Sequence, residues 1–286
     1  MIKSAVGLIV CFCAYACPAL ANGDSHAAGS YAAALYKQGL YFECIDELRK
    51  ERLYFGRDAA SEEYLVSCCL YMAGQYRTAA LRLSGDSSYA GRLLLSKTHT
   101  SIGAYDAGYA AAADLFYEGR QAKERYLILT SRIEPLLAAD MRDAAIGELA
   151  AYKKSYDDDV ALAPLEAKLN ENIPRRSIGL TVAASAIIPG LGQAICGRFG
   201  AAAISLATVL GSAIGGAVLV NKGEHRLAAG AFFFCGLFYA GNLYGAYNSA
   251  ADFNIRHKRA YLNDFKQNYV PAYDPAAGWF DMDGLR

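Results

Sequence analysis

Four histidines, eight cysteines and a run of three aspartates are the residues whose types could do chemistry in this 286-residue chain, and their spacing gives them little to do together. His26, His99, His225 and His257 are scattered, and no spacing puts two of them in one metal site. Asp157-Asp158-Asp159 lacks the other ligand positions of a calcium loop and reads as a solvated loop or helix start. Gly190-Leu191-Gly192 makes no phosphate-binding loop, because it lies in an uncharged stretch. No nucleophile and base, and no paired acid and base, can be picked out. An enzyme is therefore not expected, and neither a cofactor nor a metal site.

The uncharged stretches carry more information. Ser177–Gly197, Phe199–Asn221 and Leu227–Ala251 contain no charged residue, and only Arg198 and the cluster Asn221–Arg226 separate them. A bilayer core needs roughly 20 apolar helical residues to cross it. Residues 175–251 are therefore expected to form a membrane domain, of two to three hydrophobic segments. The N-terminus adds a direction. Lys3, the apolar run Ala5–Ala16 and the Ala19-Leu20-Ala21 cleavage pattern give residues 1–21 the layout of a secretory signal peptide. A retained anchor and a lipoprotein signal at Cys17 are the alternatives, the second without the usual leucine of a lipobox. Cleavage would carry Asn22 onward into an oxidising compartment and leave five cysteines. Of these, Cys196 and Cys235 lie in apolar stretches, and Cys44 could bridge to Cys68 or Cys69 if helices bring them close.

Overall charge is balanced at formal zero, so nothing suggests a nucleic-acid footprint. Hydrophobic residues make up 54% of the chain, with the excess at its two ends, which leaves residues 22–174 as an ordinary soluble domain. That domain repeats itself. Gly39-Leu40-Tyr41-Phe42-Glu43-Cys44 is echoed by Gly74–Ala79, Gly103–Gly108 and, degenerately, Ala139–Ala144, at spacings of 35, 29 and 36 residues. Each copy has a glycine turn, then an aromatic or Met, then a small residue three further on. Helical stretches precede the copies at Tyr31–Gln38, Glu62–Ala73, Leu93–Ile102 and Arg125–Ala138, and the span has no strand-like alternation.

Over roughly residues 27–165 this pattern resembles the tetratricopeptide repeat, without that family's usual proline after the second helix. The fold expected is all-α: a tetratricopeptide-like helical solenoid followed by the membrane domain, with a generic helical-hairpin solenoid as the alternative. Such hairpins cannot bury an apolar face alone and so stack. The resemblance implies a concave groove that takes an extended peptide or a helix, with Tyr36, Tyr71 and Arg92 as candidate lining residues. Packing between helices is the competing role for the two tyrosines.

In the membrane part, Pro189-Gly190-Leu191-Gly192-Gln193, followed by Gly197-Arg198, resembles a motif of bacterial small-membrane-domain proteins of unknown function. Cys196 stands where those proteins often carry an aromatic. The second motif of that resemblance is Gly241-Asn242-Leu243-Tyr244-Gly245-Ala246-Tyr247-Asn248. Pro189 and the glycines should kink the first segment or make it re-entrant, with Gln193 bonding the freed backbone groups. The spacings Gly211-x-x-x-Gly215 and Gly241-x-x-x-Gly245 should let helices approach closely, within a hairpin or between copies.

If the first segment crosses, the Lys and Arg flanks divide four against four; three crossings, with Arg256–Arg259 in the cytoplasm, are the working expectation, and two the alternative. Residues 252–286 form a polar, aromatic tail. Asp252–Lys266 is expected to continue the last helix along the membrane surface, and beyond Pro271 the tail is expected to be loose. The functional expectation is a scaffold anchored in the bacterial inner membrane, its repeats outside the cytoplasm holding a protein partner, with envelope biogenesis as one such setting. Partners are then a protein and membrane lipid. The alternative is a transporter or channel subunit built on the broken segment at Pro189.

Overall fold

The computed structural model describes residues 25–56, 58–156 and 162–276. All of the regular structure among them is helical: α1 Ser25–Lys37, α2 Tyr41–Phe55, α3 Ala59–Met72, α4 Tyr76–Leu83, α5 Tyr89–Ile102, α6 Tyr105–Ala113, α7 Ala122–Ala138, α8 Arg142–Ser155, α9 Leu162–Asn170, α10 Ile178–Ile187, α11 Leu191–Ile195, α12 Phe199–Asn221 and α13 His225–Asn268. The signal-peptide segment, the aspartate run, Trp279 and Phe280 lie outside the described residues. The chain divides into two units. One contains α1–α8 together with residues 270–276, and the other runs from residue 162 to Tyr269.

In the first unit the helices pack in chain order, each on the next. Turn chemistry sets the breaks. Gly39, Gly74 and Gly103 take left-handed φ angles of 77°, 76° and 90°, where a side chain would be strained. Asp58 and Ser88 cap α3 and α5 through side-chain oxygens that accept from the N–H groups of Ser61 and Gly91. The small residue of each copy is buried or closely packed. Cys44 and Ala79 are buried, and an added Cβ on Gly108 would lie 2.6 Å from Thr100 Oγ1 of α5. The fourth turn sits one residue later than the sequence copy places it. Asp140 takes the left-handed φ of 66°, and Ala145, not Ala144, is the fully buried small residue. Aspartate is among the few side chains that tolerate this conformation, so a turn forms without glycine.

Leu48, Leu65, Leu83, Leu94, Ile128, Leu129 and Ile133 fill the interior. Two polar pairs pin neighbouring helices. Lys97 Nζ of α5 lies 3.0 Å from Glu134 Oε2 of α7, both buried. Arg132 donates to the carbonyls of Ala112, Ala113 and Leu115, which cap the end of α6, and pairs with Glu148 at 3.3 Å.

The second unit is built the other way round. Leu180, Ile187 and Phe199 are 74, 81 and 72% exposed, while Thr181, Ser185, Gln193, Asn242 and Ser249 are buried. Two of its helices are long and apolar enough to cross a membrane, α12 and α13. The 44 residues of α13 run for about 66 Å, far more than a crossing needs. Its apolar part ends near Ala251, and its extension is covered by α9. There Tyr261 donates to the carbonyl of Lys168 at 3.0 Å, Lys168 pairs with Asp264, and Phe265 is fully buried. The hydrogen bond from Lys168 holds the Asp264 carboxyl below the usual carboxylate range.

Candidate functional site

Two constructions on this frame are specific enough to carry a function: a polar knot in the membrane unit and a groove in the first unit. The knot begins at Pro189. A proline cannot donate the helical hydrogen bond to the carbonyl four residues back, and the residue before it is pushed to extended backbone. Ile188 is extended accordingly, and α10 stops at Ile187.

The carbonyls left over find partners on α13. Asn242 Nδ2 donates to Ser185 O at 2.8 Å, and Tyr239 OH donates to Ala186 O at 2.9 Å. Asn242 also accepts, through Oδ1, from the N–H of Gly190 at 2.7 Å. One side chain thus repairs both sides of the break.

Gln193 has a different part from the one expected of it. Its Nε2 donates to the carbonyl of Asn242 at 3.1 Å and to Ser205 Oγ at 3.2 Å, and its Oε1 accepts from Ser185 Oγ at 3.1 Å. It locks Asn242 in place, and Asn242 bonds the freed backbone. Ser185 Oγ in turn accepts from the N–H of Gly192 at 2.8 Å.

The glycines of this motif are needed for space. A Cβ on Gly190 would stand 2.3 Å from Ala202 O of α12, and one on Gly192 2.3 Å from Thr181 O of α10. Gly190 and Gly197 also hold left-handed φ angles of 90° and 79°. On α13, Gly245 makes room for Gln193, whose Nε2 would lie 2.8 Å from an added Cβ. Asn248 takes no part in this network, and Gly241 faces open space.

Gly211 and Gly215 do not make the hairpin contact expected of them. Nothing lies within 4 Å of an added Cβ at either, and the close approach of α12 to α13 is made instead by Gly216 against the ring of Phe232. Phe233, Phe234 and Phe238 point outward.

The broken segment starts and ends beside the same stretch of α13. Ahead of α10, the backbone N–H and carbonyl of Arg176 bond the side chain of Asn254 at 2.7 and 2.9 Å. After α11, Arg198 reaches Ser249 and Asp252 at 3.5 and 3.4 Å. The ten residues of α10 rise only about 15 Å, half of the bilayer core. Against the three segments expected to cross, α12 and α13 are the two described helices long and apolar enough to do so, and α10 with α11 starts and ends beside the same stretch of α13.

The groove lies on α1, α3 and their neighbours, and residues 273–276 occupy it. Tyr36 OH donates to Asp274 Oδ1 at 2.8 Å, and Tyr64 OH donates to the carbonyl of Pro275 at 2.8 Å. Asp274 Oδ1 also accepts from the N–H of Ala276 at 3.0 Å, which closes a tight turn. The ring of Tyr273 packs against two clusters, one holding Leu70, Leu94 and Tyr71, the other Leu93, Leu115 and Tyr89. Pro275 and Ala276 are buried. The tail is therefore ordered as far as Ala276, against the expectation of a loose segment beyond Pro271. Burial and the hydrogen bond to Asp274 raise the Tyr36 hydroxyl far above its ordinary range.

Of the three expected lining residues, Tyr36 bonds the tail directly. Tyr71 packs against the same cluster as Tyr273 and makes an edge contact with Tyr76 at 5.4 Å, so it serves packing and lining at once. Arg92 stands apart. It pairs with Asp114 at 3.3 Å in a separate depression beside Tyr89, Phe116 and Arg120. Tyr64 was not singled out from the sequence. Nearby, Cys44, Cys68 and Cys69 are buried and form no disulfide, and burial pushes the Cys68 thiol up. Cys44 donates to the carbonyl of Ala32 at 3.2 Å.

Among the described residues no group of three or more metal-ligating side chains occurs. No protein-family model, curated protein or solved structure matches the chain.

Proposed function

We propose that the chain is a membrane-anchored scaffold whose helical unit, a tetratricopeptide-like solenoid, binds a protein partner through the groove around Tyr36, Tyr64 and Tyr71. One observation carries this: the turn at residues 273–276, with Pro275 and Ala276 buried, lies against these helices and is bonded there by the hydroxyls of Tyr36 and Tyr64. A peptide held in this way is how helical-repeat grooves generally recognise partners.

The second unit is the anchor. Its exposed apolar face needs lipid, because monomeric soluble proteins rarely expose apolar patches beyond a few hundred Å². It crosses twice, with α10 and α11 re-entrant. Nothing favours the transport alternative. Ser185, Gln193, Asn242 and Ser205 bond one another and the broken backbone, so packing accounts for their presence.

Two crossings put residues 162–176 and 252–269 on one side. Lys168, Arg175, Arg176, Arg198, Arg256, Lys258, Arg259 and Lys266 then share a face, with Lys222 and Arg226 opposite. Eight against two favours the cytoplasm for that face under the positive-inside rule. The secretory layout of residues 1–21 favours the outside. This reading gives the secretory layout more weight, because long domains translocate largely regardless of charge. The helical unit and both flanks of the membrane domain are thus placed outside the cytoplasm, at the inner membrane of a bacterial cell.

The test is a photo-crosslinking amino acid at Tyr71 in intact cells, read by mass spectrometry. A discrete protein adduct, lost when Gly74→Pro disrupts the turn, is expected. Adducts only to lipid or to the chain itself would overturn the scaffold.

A further inference from the structure

Cys44, Cys68 and Cys69 meet in the core of the first unit, each fully buried. Cys44 lies on α2, where the first repeat copy has its small residue; the next two copies carry Ala79 and Gly108 at that place. Cys68 and Cys69 are neighbours on α3, which packs against α2. Successive residues of a helix point about 100° apart, so the two thiols face different neighbours. Cys69 shares a hydrogen bond with Cys44, which together with burial pushes the Cys69 thiol up. Cys68 hydrogen-bonds Tyr64 instead, on the side where Tyr64 meets Pro275.

We propose that Cys44 and Cys69 are an oxidation site: in the exported chain a disulfide joins them and staples α2 to α3, while Cys68 stays a thiol. This rests on the export reading, because such bonds form and persist in oxidising compartments. The oxidant is itself a disulfide, of an oxidoreductase or a small molecule. The thiolate of one cysteine attacks it and releases a thiol, and the thiolate of the other then displaces the second thiol. The protons and electrons of the two cysteine thiols end on the oxidant, which leaves as two thiols. In the folded unit burial and hydrogen bonding keep these thiols protonated, so the bond forms before the core closes.

The experiment blocks the thiols of the full chain with N-ethylmaleimide in intact cells and again under denaturation, then digests with trypsin without reductant. Mass spectrometry should find residues 38–49 linked to residues 58–77, with Cys68 carrying the blocking group. Cys68→Ala should keep the link, and Cys44→Ala and Cys69→Ala should each abolish it. Reduction should lower the Tm of the wild-type chain in detergent by about 10 °C. The Tm of Cys44→Ala should not respond to reductant.

Both cysteines blocked in cells where Arg259→Cys labels from outside the membrane would overturn the inference, as would a wild-type link through Cys68. Failure of the export reading looks different. Both cysteines would be blocked and Arg259→Cys would not label from outside, while the purified chain, unfolded and refolded with oxidised glutathione, would still form the Cys44–Cys69 bond. No bond in the refolded chain would overturn the pairing itself.

Discussion

The helical unit and the membrane unit use glycine for opposite reasons. Gly39, Gly74 and Gly103 sit at turns with positive φ and nothing within 4 Å of an added Cβ, so only backbone conformation requires them. Gly192 has neighbours on every side, and Gly190 has both a positive φ and the backbone of α12 against it. Polar groups are reversed in the same way. In the first unit leucines fill much of the core, and among the described residues the ion pair Lys97–Glu134 is buried within it. In the second unit amide and hydroxyl groups form the interior and apolar residues form the surface. A unit bathed in water gains most by hiding apolar area. A unit placed in lipid, as proposed for the second, would gain nothing that way, and close packing and internal hydrogen bonds would hold its helices instead.

Perturbations of the two units should therefore differ in size. Asn242→Leu should have the largest effect. It strands the Gly190 N–H and the Ser185 carbonyl in an apolar interior, at a cost of roughly 3–5 kcal/mol in unfolding measured in detergent. A loss below about 1 kcal/mol would show that the break is satisfied by other groups. Gly192→Ala should cost about 2–3 kcal/mol, because Thr181 O cannot yield without moving α10. Gly74→Ala should cost only about 1 kcal/mol, the penalty of a left-handed residue with room around it. Equal losses at the two sites would erase the distinction between space and conformation.

Docking of the tail should respond to alkali. The Tyr36 hydroxyl is raised by burial and by Asp274, so its neutral form is the one the folded state favours. Its contribution is complete below the ordinary tyrosine range near pH 10 and is lost as pH rises above it. A spin label at Ala272, placed by Ala272→Cys in a cysteine-free background, should be immobile at pH 8 and gain motion above pH 10. Mobility already high at pH 8 would mean the tail is undocked. The smallest effect is expected for Gly211→Leu with Gly215→Leu. Both face open space, so hairpin stability should change by less than about 0.5 kcal/mol. A large loss would point to a contact these glycines make with a second copy, as the sequence spacing suggested.

Much of the helical unit was legible because its signals are local. Each turn glycine and the helical stretch before it could be read within a dozen residues, and the structure moves only the fourth turn, where Asp140 replaces glycine. The membrane motif was legible as a break but not as a repair. Pro189 predicts orphaned carbonyls, and nothing within its own segment indicates that Asn242, 53 residues later, takes one of them. Gln193 was the nearer candidate and proved to be the support. The number of crossings is hard to count from the sequence for a related reason. An uncharged stretch of adequate length looks like a span until Arg176 and Arg198 are found beside one end of α13. Tyr36 and Tyr71, singled out from the sequence, lie beside the tail segment, whereas Tyr64 and that segment carried no signal. Their pairing spans more than 200 residues, and a short Tyr-Asp-Pro-Ala segment carries no periodicity to announce it.

The most direct test of the anchored arrangement is labelling with a membrane-impermeant thiol reagent in intact cells. Single cysteines are introduced by Arg198→Cys, Lys222→Cys and Arg259→Cys in a cysteine-free background. Two crossings with a re-entrant first segment predict that positions 198 and 259 label from outside and position 222 does not. Positions 198 and 259 reacting on opposite sides would contradict crossings at α12 and α13, and labelling of position 222 alone would contradict the re-entrant arrangement with the helical unit outside the cytoplasm.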